Sequence, residues 1–135
     1  EQGAVLRSGE FSHLALANPQ LAPYGRAAVE AMTALGVLPR CQPRFVLGDS
    51  ITQAHQFVAT GNAELGFVAM SQVWLDGRFN APGSHWVVPA TLHQAIRQDA
   101  VLLAAGQGKP APVALLQWLQ TEPAKAVIRR YGYVL

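Results

Sequence analysis

FSHLALANPQLAPY (residues 11–24) and RFVLGDSI (residues 44–51) are two copies of one short unit, an apolar strand running into a turn that opens a helix. The first copy leads into a helix over residues 25–35, the second into a helix over residues 51–60. A helix start leaves roughly four backbone N–H groups without an intrahelical acceptor and carries about half a positive charge. Two such starts facing one small space make a site for a small anion. The repeat therefore implies an oxyanion-binding lobe.

Outward from the first unit, residues 1–10 read as a polar lead-in, and residues 13–17 as a strand of buried composition. Asn18-Pro19 ends that strand, because proline cannot donate to a ladder and restricts the residue before it. Pro23 falls near the first helical turn, where a missing N–H costs nothing. Ala27, Ala28, Ala31, Met32 and Leu35 recur at helical spacing, and Gly36 stands where a C-terminal cap belongs.

In the second unit residues 45–47 form the strand. Ser50 and Gln53 fit a capping box, with Ser50 capping the helix and Gln53 reaching back to it, which leaves the N–H of Ile51 without a partner. Residues 64–69 (ELGFVA) read as a third strand, and Ser71 as the cap of a short helical turn through Trp74 and Leu75. Residues 76–84 have the Gly, Asn and Pro content of a surface loop. Short strands are expected at residues 85–88 and 100–104, a turn at 106–110, and two closing helices at about 111–120 and 123–131, the second ended by Gly132.

This order, βαβαβ and then further strands and helices, predicts an α/β fold: a three-layer lobe with a mostly parallel sheet. Ligands of such sheets sit outside the carboxyl ends of the strands, where residues 18–25 and 48–51 fall. Gly25 and Gly48 leave room for close backbone approach. Taken singly, Tyr24 packs across a helix start, Gly25 eases a turn and Ser50 is a cap; their pairing across one βαβ unit is what points to an anion.

At 135 residues the chain is long enough for one ordinary domain core, and 50% apolar with 13% charged residues excludes a disordered chain. The formal charge is only +2, with Lys and Arg scattered apart from Arg129-Arg130, so a nucleic-acid footprint is not supported. The single cysteine, Cys41, excludes an internal disulfide and reads as a small buried residue. No stretch approaches the roughly 18 apolar residues of a membrane span, and EQGAVLRSGE is not a signal peptide.

Catalytic constellations are scarce. His13, His55, His85 and His93 lack metal-ligand spacing, and there is no GxSxG, P-loop or GxGxxG. The chain reads as a binding protein and not an enzyme, with no cofactor.

At these same residues the chain resembles the periplasmic molybdate-binding proteins of ABC importers, the ModA-type receptors of the type II periplasmic-binding-protein fold. The matching segments are LANPQLAPYGRAA (16–28), GDSITQAHQFVATGNAELGFVAMSQV (48–73), WVVPATLHQAIRQDAVLL (86–103) and AVIRRYGYVL (126–135). Members have two lobes and bind molybdate or tungstate between them through neutral donors. The resemblance implies the backbone N–H groups of Tyr24 and Ile51 as oxyanion ligands, with Gly25, Ser50 and Ala69 as further candidates. Part of the family carries a tyrosine hydroxyl donor where this chain has Ala69.

The resemblance further implies that residues 1–95 are the second, ligand-binding lobe and residues 96–135 a crossover strand and closing helices that pack on a first lobe without counterpart here. It implies a small oxyanion ligand, an ABC transporter membrane permease as partner of the full-length receptor, a periplasmic address with the signal peptide outside this chain, and self-association of a fragment. The alternative reading is an effector-sensing domain of a transcription regulator, which shares the fold. An enzyme acting on phosphorylated small molecules needs a general base near Tyr24 and Ile51, and only Asp49 is close.

Overall fold

Leu14, Leu16, Ala15 and Ala17 decide how the layers stack. The computed structural model describes residues 3–135. In chain order it holds α1 (Ala4–Ser8), β1 (Leu14–Ala17), α2 (Pro23–Ala34), α3 (Leu38–Cys41), β2 (Phe45–Gly48), α4 (Ile51–Ala59), β3 (Leu65–Gly66), α5 (Met70–Val73), β4 (Trp74–Leu75), β5 (Arg78–Phe79), α6 (Pro110–Leu119) and α7 (Glu122–Arg130). Strands β2, β1 and β3 form a parallel sheet in that order, with Ala17 level with Gly48 and Ala15 level with Gly66.

All four residues of the central strand β1 are buried. Its side chains alternate between faces, so the leucines and the alanines serve different helices. Leu14 and Leu16 join Ala28 and Met32 of α2 in the core, with Leu6, Phe11, Val37 and Cys41 around them. Each buried leucine or methionine there contributes about 1.5–3 kcal/mol. On the alanine face α4 lies against small residues. A methyl built on Gly66 would meet Val58 Cγ2 at 2.4 Å and Ala15 Cβ at 3.5 Å, and one built on Gly48 would meet the Ala54 nitrogen at 2.8 Å. The strand order turns back on itself, which places α2 and α4 on opposite faces of the sheet.

Several expectations are corrected. Within the lead-in, residues 1–2 lie outside the described residues, but Ala4–Ser8 is a helix. Arg40 and Arg44 donate to the carbonyls of Arg7 and Gly9, and the Trp86 ring lies close over Gly3, so the segment is stapled to the core. The third strand shrinks to Leu65–Gly66, although Phe67 N–H still reaches the Ala15 carbonyl. Ser71 is not a cap: α5 starts after Ala69, and Trp74–Leu75 is a strand. The loop at residues 76–84 contains the second arm of a hairpin. Asp76 (φ 51) and Gly77 (φ 82) make the tight turn between β4 and β5, where Asp-Gly supplies the two positive φ values required.

Residues 85–88 and 100–104 are not strands. A strand exists only with a ladder partner, and among the described residues none lies alongside either segment. Trp86 instead packs on the core, while Val101 and Leu103 are exposed. The two closing helices form as expected, one residue earlier than read at each start. Helix α6 has no buried residue, and Val113, Leu115 and Trp118 are exposed on it. No helix is long and apolar enough to cross a membrane among the described residues.

Candidate oxyanion site at two helix starts

Ala17 and Gly48 are paired at the carboxyl edge of the sheet, and the turns that open α2 and α4 leave from that pair. Adjacent strands lie about 4.8 Å apart, so the turns are neighbours. Asn18 N–H donates to the Gly48 carbonyl at 2.7 Å, tying one turn to the other.

The start of α2 has no capping side chain. Ala22 is the N-cap, Pro23 has no N–H, and the N–H groups of Gly25 and Arg26 both donate to the Ala22 carbonyl, at 3.1 and 3.3 Å. Among the described residues nothing accepts from the N–H of Tyr24. The turn is held from beneath, where the Asn18 carbonyl accepts from Leu21 and Ala22 N–H groups. Gly25 is buried against β1, so close that its role in the structure is steric: a methyl there would lie 2.0 Å from the Ala17 carbonyl oxygen.

The start of α4 is capped by Ser50, whose Oγ accepts from Gln53 N–H at 3.2 Å. The reciprocal contact differs from a standard capping box. Gln53 Oε1 accepts from Asp49 N–H at 2.7 Å, one residue before the cap, so the N–H of Ser50 stays open. Nothing among the described residues accepts from Ile51 N–H, whereas the Ile51 carbonyl accepts from Gln72 Nε2 at 3.3 Å. Gln72 Oε1 in turn accepts from the N–H of Ala69 at 2.9 Å. Ala69 is thus buried with its N–H already used, and Gln72 joins the start of α5 to the start of α4. Composition and spacing gave no sign of that glutamine bridge.

The arrangement offers open backbone N–H groups and no ionised side chain in the two turns except Asp49, which is exposed. Among the described residues no three His, Cys, Asp or Glu side chains gather to hold a metal ion. A cleft of about 310 Å³ lies along α2, lined by Pro23, Arg26, Ala27 and Glu30 and by residues 94–97; neither Tyr24 nor Ile51 lines it. Such a pair of helix starts can hold a small anion by dipoles alone.

A family model described as bacterial extracellular solute-binding protein matches residues 2–134. The chain belongs to that family. Among its solute-binding relatives, the molybdate-binding protein ModA of Azotobacter vinelandii is 53% identical over 135 residues, all of this chain and 53% of the relative. The molybdate-binding protein ModA of Rhodobacter capsulatus is 49% identical over 134 residues, 99% of this chain and 51% of the relative. The solved Azotobacter vinelandii periplasmic molybdate-binding protein superposes with a TM-score of 0.92 at 39% identity, covering 100% of this chain and 59% of that one. The chain spans about half the length of the curated relatives it matches. The parallel sheet with helices on both faces is an α/β fold, that of part of a type II periplasmic binding protein.

Proposed function

We propose that this chain binds molybdate or tungstate as one lobe of the substrate-binding component of an ABC importer. The observation that carries this reading is the pair of open N–H groups, Tyr24 and Ile51, on helices that start from the paired strand ends Ala17 and Gly48. The names of the close relatives supply the class of anion. A dianion held by backbone dipoles needs no buried lysine or arginine, whose desolvation would be costly. Preference for molybdate and tungstate over sulfate then follows from cavity size, since a larger tetrahedron reaches every donor at once. Ser50 N–H is a further donor of the α4 turn, whereas Gly25 and Ala69 act through packing and backbone position.

In this reading residues 1–95 are the ligand-binding lobe. Residues 96–135 close against a first lobe, which would cover the exposed apolar side chains of α6. The working address is the periplasm, and the partner of the receptor is the membrane permease. In isolation the same apolar face favours self-association of this chain, and a monomer by sedimentation at tens of micromolar concentration counts against that.

Calorimetric titration of molybdate, tungstate, sulfate and phosphate into this chain tests the proposal. Weak binding of molybdate and tungstate with none of sulfate is expected, tightening by orders of magnitude when a first lobe is supplied. Absence of oxyanion binding in both forms would overturn the reading.

A further inference from the structure

Two glutamines bond to the start of α4. Gln53 belongs to the helix itself: its N–H donates to Ser50 Oγ and its Oε1 accepts from Asp49 N–H. Both bonds are local, and they leave the N–H groups of Ile51 and Thr52 without an acceptor among the described residues. A cap of this kind closes the first turn but does not aim it at anything outside α4. The aim has to be set by a contact from another element.

Gln72 makes that contact from 21 positions along the chain, its Nε2 donating to the Ile51 carbonyl at 3.3 Å. The glutamine is held at its other end by Ala69. Its Oε1 accepts from Ala69 N–H at 2.9 Å, and its own N–H donates to the Ala69 carbonyl at 2.9 Å. The side-chain amide thus sits between one backbone donor and one backbone acceptor, and only one orientation of it satisfies both. With the oxygen fixed on Ala69, the nitrogen is aimed at Ile51. Both bonds are partly buried, where a hydrogen bond is stronger than in water.

The Ile51 carbonyl and the Thr52 N–H belong to one rigid peptide plane, and the Ile51 N–H lies on the plane before it. A donor on that carbonyl therefore fixes the tilt of the first turn, and it polarises the Thr52 N–H into a stronger donor. Helix α5, which carries Gln72, spans only four residues, too few to hold itself. It is braced by the tail of the chain. Ser71 Oγ is hydrogen-bonded to the Tyr133 hydroxyl at 3.1 Å, and Gly132 packs so closely that a methyl on it would lie 3.1 Å from Met70 Cγ. Gln72 stands on a fixed base.

We infer that Gln72 is a positioning residue of the oxyanion site, setting the first turn of α4 through the Ile51 carbonyl while the Ile51 N–H stays free for the anion. The inference rests on the reading of Tyr24 and Ile51 as anion donors. Its test is an amide NMR titration of the 135-residue chain with sodium molybdate. In the parent both the Tyr24 and Ile51 amides shift. In Gln72→Met, which keeps the length of the side chain and removes its amide, molybdate affinity falls by about three- to tenfold, the size of one lost neutral hydrogen bond. The Ile51 shift at saturation shrinks more than that of Tyr24, and unchanged Leu16 and Met32 amides report an intact core. Gln72→Glu, titrated in high salt to screen the added charge, keeps an acceptor for Ala69 N–H but has no donor for the Ile51 carbonyl, so it shows the same asymmetry. It also serves if Gln72→Met fails to fold. Parental behaviour of Gln72→Glu would mean that Gln72 acts only on Ala69, and a loss shared equally by Tyr24 and Ile51 would mean a general loosening. Either result would overturn the inference while leaving the donor reading standing. Unmoved Tyr24 and Ile51 amides in the parent would overturn both.

Discussion

Gly25 lies so close to Ala17 that a methyl group on its Cα would sit 2.0 Å from the Ala17 carbonyl oxygen and 2.8 Å from the Pro19 nitrogen. The first turn of α2 is thereby pressed onto the end of the central strand, which sets where the Tyr24 N–H points. Backbone on both sides cannot yield as a side chain can. Gly25→Ala is expected to cost about 3 kcal/mol, read by urea unfolding, and to weaken oxyanion binding beyond that of any surface variant. Gly36 is the contrast: nothing lies within 4 Å of an added methyl, but φ is 70. Gly36→Ala should cost only about 1 kcal/mol, from backbone strain alone.

Gly66 and Val58 form a second close approach, at 2.4 Å from the built methyl to Val58 Cγ2. Here the obstacle is a side chain, so the clash can be relieved. Gly66→Ala is expected to destabilise, and Val58→Ala to restore part of the loss. A double-mutant cycle should show favourable coupling of at least about 1 kcal/mol. Additive losses would place α4 farther from the sheet than described.

The Tyr24 phenol, raised from 10.0 to about 12 first by burial and then by Tyr133, makes a prediction in alkali. Its folded-state value exceeds its unfolded one, so the stabilisation it gives is complete below the unfolded value and lost as pH rises through the folded one. The melting temperature should fall between about pH 10 and pH 12. Tyr24→Phe should flatten that part of the profile.

Asp76 predicts the opposite limb. Its carboxyl is held below the ordinary value, first by the hydrogen bond from Arg130 and then by the charges of Arg130 and Arg78. A lowered folded-state value stabilises above the usual aspartate range and is lost as pH falls through the folded value. Hydrogen exchange at the Asp76 amide, which is bonded to the Arg130 carbonyl, should quicken on acidification relative to its intrinsic rate. Asp76→Asn should show the quicker exchange at neutral pH.

Cys41 is wholly buried, and burial pushes its thiol up against the lowering pull of Arg44 and Arg40. Its Sγ faces the Leu6 carbonyl at 3.8 Å. A thiol reagent should therefore label it only when α1 lifts from the core. Gly3→Val, which drives a side chain into the Trp86 ring, should speed labelling while leaving the Leu16 amide protected.

Local chemistry made much of this legible. The LALA strand, Pro23 at the first turn, the Ser50 cap and the glycines after α2 and α7 each act within a few residues, so spacing alone located α2, α4, α6 and α7. The Asp-Gly turn between β4 and β5 was equally local; two-residue strands of mixed composition hid it. The sequence by itself determined the βαβ frame and the two helix starts with an N–H to spare, because capping and periodicity are properties of neighbours along the chain. Tertiary structure alone decided the rest. Residues 85–88 and 100–104 failed as strands because a strand depends on a partner elsewhere. Gln53 turned to Asp49, Gln72 bridged Ala69 and Ile51, and Tyr133 reached Ser71, because a hydrogen bond answers to distance in space.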